Sequence, residues 1–135
     1  MKSFKRTLVG LAVATALAAG SAQAQVSDNV VKIGVLSDMS SLYTDLAGAG
    51  SVLAAKMAVE DSGIEKRGYK VEVVSADHQN KADIGSGSAR QWYDVDKVDM
   101  IVDVPTSSVV LAVNEVTKQK GKALLVSTGA TSDLT

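Results

Sequence analysis

The chain has no cysteine, so neither a disulfide nor thiol chemistry is open to it, even in an oxidising compartment. A single histidine, His78, with no cysteine to join it, cannot supply the several ligands a metal site needs. No nucleophile accompanies His78 in sequence, so it reads as a polar loop residue rather than a general base. Phosphate loops and nucleophile elbows are missing as well. Gly85-Ser86-Gly87 has two glycines of a dinucleotide fingerprint, but it lacks the third and begins several residues after its strand. No cofactor is therefore expected. Proline occurs once, at Pro105, where it breaks a strand pattern.

One apolar run stands out, Leu8 to Ala19, and at about a dozen residues it is short of the roughly 20 that span a bilayer. Lys2, Lys5 and Arg6 precede it and Ala22-Gln23-Ala24 follows, the order of a secretory signal peptide with a small-x-small cleavage site. Residues 1–24 are read as a leader, and residues 25–135 as one mature domain in the periplasm, with no membrane insertion after cleavage. Removal of 24 of the 135 residues leaves 111. The leader takes three of the 14 basic residues and none of the 15 acidic ones, leaving 11 against 15, or −4. So weakly acidic a chain gives no reason to expect nucleic acid as a partner.

The mature part alternates strand and helix patterns at short intervals, which is the mark of parallel βαβ units and a doubly wound α/β sheet. Strands are expected at Val30 to Leu36, Tyr69 to Ala76, Val98 to Val104 and Ala123 to Val126. A first helix is expected from Asp45 to a stop at Gly63, with Ala49, Leu53 and Met57 as its apolar stripe and Val52 and Val59 flanking it. A second runs from Asp83 to about Val95, its first turn weakened by Gly85 and Gly87, and Trp92 is expected in the core. A third is capped by Ser107 or Ser108 and ends at Gly121, with Lys118 and Lys120 at its negative end. The pattern stops after its fourth strand, so the sheet reads as unfinished and one strand as uncovered.

In such sheets ligands sit outside the carboxyl ends of the strands. Three loops qualify: Ser37 to Thr44, Pro105 to Ser108, and Ser127 to Thr131. All three are rich in hydroxyls and small residues, and none holds a lysine or arginine. Hydroxyls and free amides at a helix start favour an anion, and the missing cations favour a small carboxylate over a phosphate chain. Simple capping is the competing reading for Ser107 and Ser108. Gly129 would let a ligand approach the backbone, and Tyr43 could pack on a ligand or on its own loop.

The stretches Lys32 to Ser40, Gly48 to Asp61, Asp77 to Lys81, Pro105 to Ser108 and Ser127 to Thr131, in this order and spacing, resemble the amino-terminal lobe of periplasmic solute-binding receptors of branched-chain amino-acid type ABC transporters. The resemblance runs from about Lys32 to Thr135, and the middle section looks closest to members that take aromatic or other organic acids. It implies a receptor without enzymatic activity that holds a ligand carboxylate at Ser108, with Ser107 beside it, and at Gly129, Ala130 and Thr131. It places Tyr43 on the cleft and a membrane permease as the partner. Ser41 departs from the glycine frequent at its position in relatives. The resemblance also implies a second lobe, with this chain stopping about where the first crosses to it. An extracellular ligand sensor of the same fold and a secreted hydrolase are the alternative functions.

Overall fold

The computed structural model describes residues 30–134, and the leader and its cleavage site lie outside them. Four strands, β1 (Val30–Ser37), β2 (Lys70–Asp77), β3 (Met100–Asp103) and β4 (Ala123–Val126), pair in parallel in the order β2-β1-β3-β4. Helices α1 (Gly48–Ser62), α2 (Ala82–Gln91) and α3 (Ser107–Lys120) make the crossovers that parallel pairing requires. From β1 the chain goes first to one side of the sheet and then to the other, so the switch point lies between β1 and β3. This is the expected doubly wound architecture. Among the described residues no helix is long and apolar enough to cross a membrane.

One face of the sheet carries the core. Leu36 and Ile101 lie against Ala89, Trp92 and Tyr93 and against Val109, Val110, Val113 and Val116 of α3. Glycine permits the closest approaches: a Cβ on Gly34 would stand 2.5 Å from the Trp92 ring, and one on Gly85 2.4 Å from Val109. Gly85, a liability for helix propensity, is thus what lets α2 lie close to α3. A π-helical turn, Trp92–Asp96, continues α2 and buries both Trp92 and Tyr93. The Tyr93 hydroxyl reaches Thr117 Oγ1 at 3.1 Å and donates to the Ala123 carbonyl at 3.3 Å, joining α3 to β4. α1 and α3 stop at Gly63 and Gly121, both left-handed (φ 61° and 59°), as their sequence predicts.

Among the described residues the other face is covered only by α1, and here the central stripe expectation fails. Leu53 and Met57 are 60% and 52% exposed, and Ala49 is exposed too. The residues that line the groove on the sheet are Ser51, Ala54, Ala55 and Ala58, with the flanking Val59 as expected. Apolar residues surround α1, so spacing alone does not choose a face, and tertiary contact selected the small ones. The helix also begins at Gly48 rather than Asp45, because 41–47 form turns with Ala47 N–H and Leu46 N–H donating to the Tyr43 carbonyl. An apolar groove remains between α1 and the sheet, lined by Ile33, Val71, Met100, Val102 and Leu125 among others.

Candidate functional site

Parallel pairing brings the loops after β1, β3 and β4 to one edge, on three neighbouring strands. Tyr43 therefore shares an edge with Ser107, Ser108, Gly129, Ala130 and Thr131. The loops are joined by side chains that sequence reasoning passed over. Asp38, fully buried, accepts from Ser41 N–H (3.0 Å), Ser41 Oγ (2.6 Å) and Tyr43 N–H (2.9 Å). Ser41 therefore shapes the first loop through two bonds to Asp38. Asp77 accepts from Met39 N–H (2.9 Å), Ser40 Oγ (2.5 Å) and Gln79 N–H (2.8 Å). Asp103 accepts from Ser37 Oγ (2.7 Å) and Ser127 Oγ (2.6 Å). The only sequence signal for the three was an aspartate at or just after each of the first three apolar runs.

Burial works to raise the pKa of Asp38 and Asp77, but the hydrogen bonds from Ser41 and Tyr43, and from Ser40, Met39 and Gln79, outweigh it and hold both carboxylates below the usual range. His78, expected as a polar loop residue, follows directly on β2 and is fully buried, its backbone N–H donating to the Ser37 carbonyl at 2.9 Å. Its Nδ1 accepts from Asn80 N–H at 3.0 Å, so the neutral ring carries its proton on Nε2, which has no partner. Burial lowers its pKa, against the pull of Asp38, Asp77 and Asp103. Among the described residues no group of three or more histidines and carboxylates could hold a metal ion.

The start of α3 corrects the capping expectation. Neither Ser107 nor Ser108 is the N-cap, which is Thr106 in extended conformation (φ −97°, ψ 125°), and no side chain caps the first turn. The Ser107 hydroxyl instead accepts from Ala130 N–H at 3.2 Å, linking the helix start to the loop after β4. Ser108 is exposed in the first turn. Thr106 Oγ1 is buried and without a partner, an orphan hydroxyl beside orphan helix amides. Left-handed φ values at two consecutive residues, Asp103 (82°) and Val104 (57°), turn the chain out of β3 towards this helix start. For residues with a Cβ such backbone costs roughly 1–2 kcal/mol each.

In the third loop, the missing side chain of Gly129 serves the interior. A Cβ there would stand 2.6 Å from Val126 Cγ1 and 3.1 Å from Leu134 Cδ1. Thr131 Oγ1 accepts from Asp133 N–H at 3.2 Å. The edge can thus offer an anion the first-turn amides of α3, the Thr106 and Ser108 hydroxyls and the amides of Gly129 and Thr131, while Ala130 N–H is held by Ser107 and the three carboxylates are engaged by N–H and O–H donors.

The family described as periplasmic binding protein matches residues 30–135. A periplasmic binding protein from Burkholderia mallei is 43% identical, with a TM-score of 0.74 over 78% of this chain and 28% of its own. A branched-chain amino acid ABC transporter periplasmic ligand-binding protein from Burkholderia xenovorans LB400 is 46% identical, with a TM-score of 0.71 over 75% of this chain and 27% of its own. A solute-binding protein of an ABC transporter from R. palustris, in complex with 4-hydroxybenzoate, shares the fold at 23% identity and a TM-score of 0.63, over 78% of this chain and 28% of its own. Among curated proteins there is no significant match. The chain spans less than a third of the length of the structures it matches. With the matched region covering the whole described fold, the chain belongs to the periplasmic binding protein family.

Proposed function

We propose that this chain forms the first lobe of a periplasmic solute receptor that delivers a small carboxylate to the membrane permease of an ABC transporter. The observation that carries the reading is the start of α3: an uncapped first turn, an unpartnered buried Thr106 hydroxyl, and Ser107 bonded to the backbone of the loop after β4. Orphan amides and the positive end of a helix attract an anion. The loops hold no lysine or arginine, which suits a single carboxylate better than a phosphate chain. Ser108, Thr106 and the backbone of Gly129, Ala130 and Thr131 are assigned to the ligand's acid group, Ser107 to fixing the loop, and Tyr43 to the rim. Branched-chain amino acids and aromatic or other organic acids share that group, and the names of the matched structures include both kinds. Recognition is by hydrogen bonds with no bond made or broken, and closure of a second lobe would couple capture to docking on the permease.

Calorimetry on the intact receptor with leucine and with 4-hydroxybenzoate tests this. Ser108→Ala or Thr131→Ala should weaken binding of the preferred acid by about 1–3 kcal/mol. Affinity unchanged in both variants rejects the site. The leader is tested separately: the mass of the protein from a periplasmic extract should correspond to a chain beginning at Gln25, and an uncleaved Met1 would reject export by cleavage.

A further inference from the structure

We propose that Asp103 is a positioning residue for this site, its carboxylate fixing the loop after β4 against the end of β1 from the switch point of the sheet. The proposal rests on the carboxylate site assigned above, and it adds a residue that touches no ligand. Asp103 is 5% exposed and its oxygens are divided between Ser37 at the end of β1 and Ser127 and Thr128 just past β4. Oδ2 accepts from Ser37 Oγ at 2.7 Å, and Ser37 Oγ in turn accepts from Gly48 N–H at 3.0 Å, the first residue of α1. Oδ1 accepts from Ser127 Oγ at 2.6 Å and, more weakly, from Thr128 Oγ1 at 3.4 Å. The Asp103 carbonyl takes Ser127 N–H at 3.4 Å as well. One side chain thus joins β1, the start of α1 and the segment leading directly into Gly129, Ala130 and Thr131.

The backbone adds a second, independent observation. Asp103 and Val104 are both left-handed without being glycine, a conformation that persists only where its surroundings over-determine it. The bonds to Ser37 and Ser127 supply that constraint on one side, and Val104 N–H donating to the Leu36 carbonyl at 3.0 Å supplies it on the other. The turn so held delivers Thr106 and Ser107 to the edge, where Ser107 meets Ala130. Every partner of the carboxylate is a hydroxyl donor. Asparagine keeps the shape but removes the charge that strengthens both arms and replaces one acceptor oxygen with an NH2, so one hydroxyl must turn from donor to acceptor and the clamp is weakened with little change in volume.

The test uses the intact receptor as wild type, Asp103→Asn, Ser127→Ala and the double variant, with Val116→Ala as a core control far from the edge. Without any ligand, amide hydrogen exchange at Ala130 and Gly48 should speed up at least tenfold in Asp103→Asn while β2 is unchanged. Equal exchange at both amides overturns the proposal. With leucine and 4-hydroxybenzoate as probes, Asp103→Asn should bind at least tenfold more weakly than wild type, and Val116→Ala should bind as wild type although its thermal midpoint also falls. Parallel losses of affinity in both variants mean general destabilisation and overturn the positioning role. Ser127→Ala, at an exposed position, should lose severalfold and add nothing on top of Asp103→Asn; full additivity overturns the shared clamp. A wild type that binds neither probe counts against the carboxylate site alone, since the exchange measurement decides the clamp without a ligand.

Discussion

Gly34 sits in the middle of β1 with the Trp92 ring where its side chain would be, 2.5 Å from a built Cβ. Gly34→Ala must push the indole away from Leu36 and Ile101 or bend the strand, and an overpacked core loses about 1–3 kcal/mol. A lower urea midpoint with an unchanged slope is the expected result. His78 gives a pH dependence whose sign follows from burial. Its folded pKa is lowered, so the fold favours the neutral ring. The contribution is complete above the ordinary histidine value of about 6.5 and is lost as pH falls below it towards the folded pKa. The thermal midpoint of the wild type should therefore fall between about pH 7.5 and about pH 5 by more than that of His78→Gln. Equal slopes for the two would assign the loss to other groups.

At the scale of elements, the loop after β1 is a ring of donors around Asp38, and the loop after β2 bonds back to it through Asp77. Both carboxylates have lowered pKa values, so their contribution is present above the ordinary value of about 3.9 and lost as pH falls through the lowered one. Carboxyl NMR titration should find both midpoints below the ordinary aspartate value, and the amide signals of Ser41 and Tyr43 should move with the Asp38 midpoint. Asp38→Asn should remove that coupled movement while the α3 amides stay in place. The helix α1 was harder to read than the loops. Its alanines, valines, leucine and methionine leave no single polar side, so the 3.6-residue period had several equally apolar solutions, and the sheet took the one made of small residues.

Over the whole molecule, apolar cover is unequal. The α2–α3 face holds most of the fully buried apolar side chains, whereas Leu125 on the α1 side is 59% exposed beside Met100 and Val102. Among the described residues β2 and β4 are the outer strands of the sheet. Residues 25–135 produced alone should bind a hydrophobic dye at this face and unfold over a shallow transition, and Leu125→Ser should reduce the dye signal without disturbing the sheet. A sharp cooperative transition with no dye binding would contradict this reading.

The sequence by itself determined the four strands, the three helices, their parallel crossovers and hence the edge on which the three hydroxyl-rich loops meet. These follow from apolar period, β-branched runs and helix stops such as Gly63 and Gly121, all of which act over a few neighbouring residues. Only the tertiary structure decided which side of α1 faces inward, that Thr106 rather than a serine is the N-cap of α3, and that Gly129 makes room for Val126 and Leu134. It alone also decided that Asp103 meets Ser37, 66 residues away. Such pairings depend on which strands become neighbours, and no local pattern carries that information.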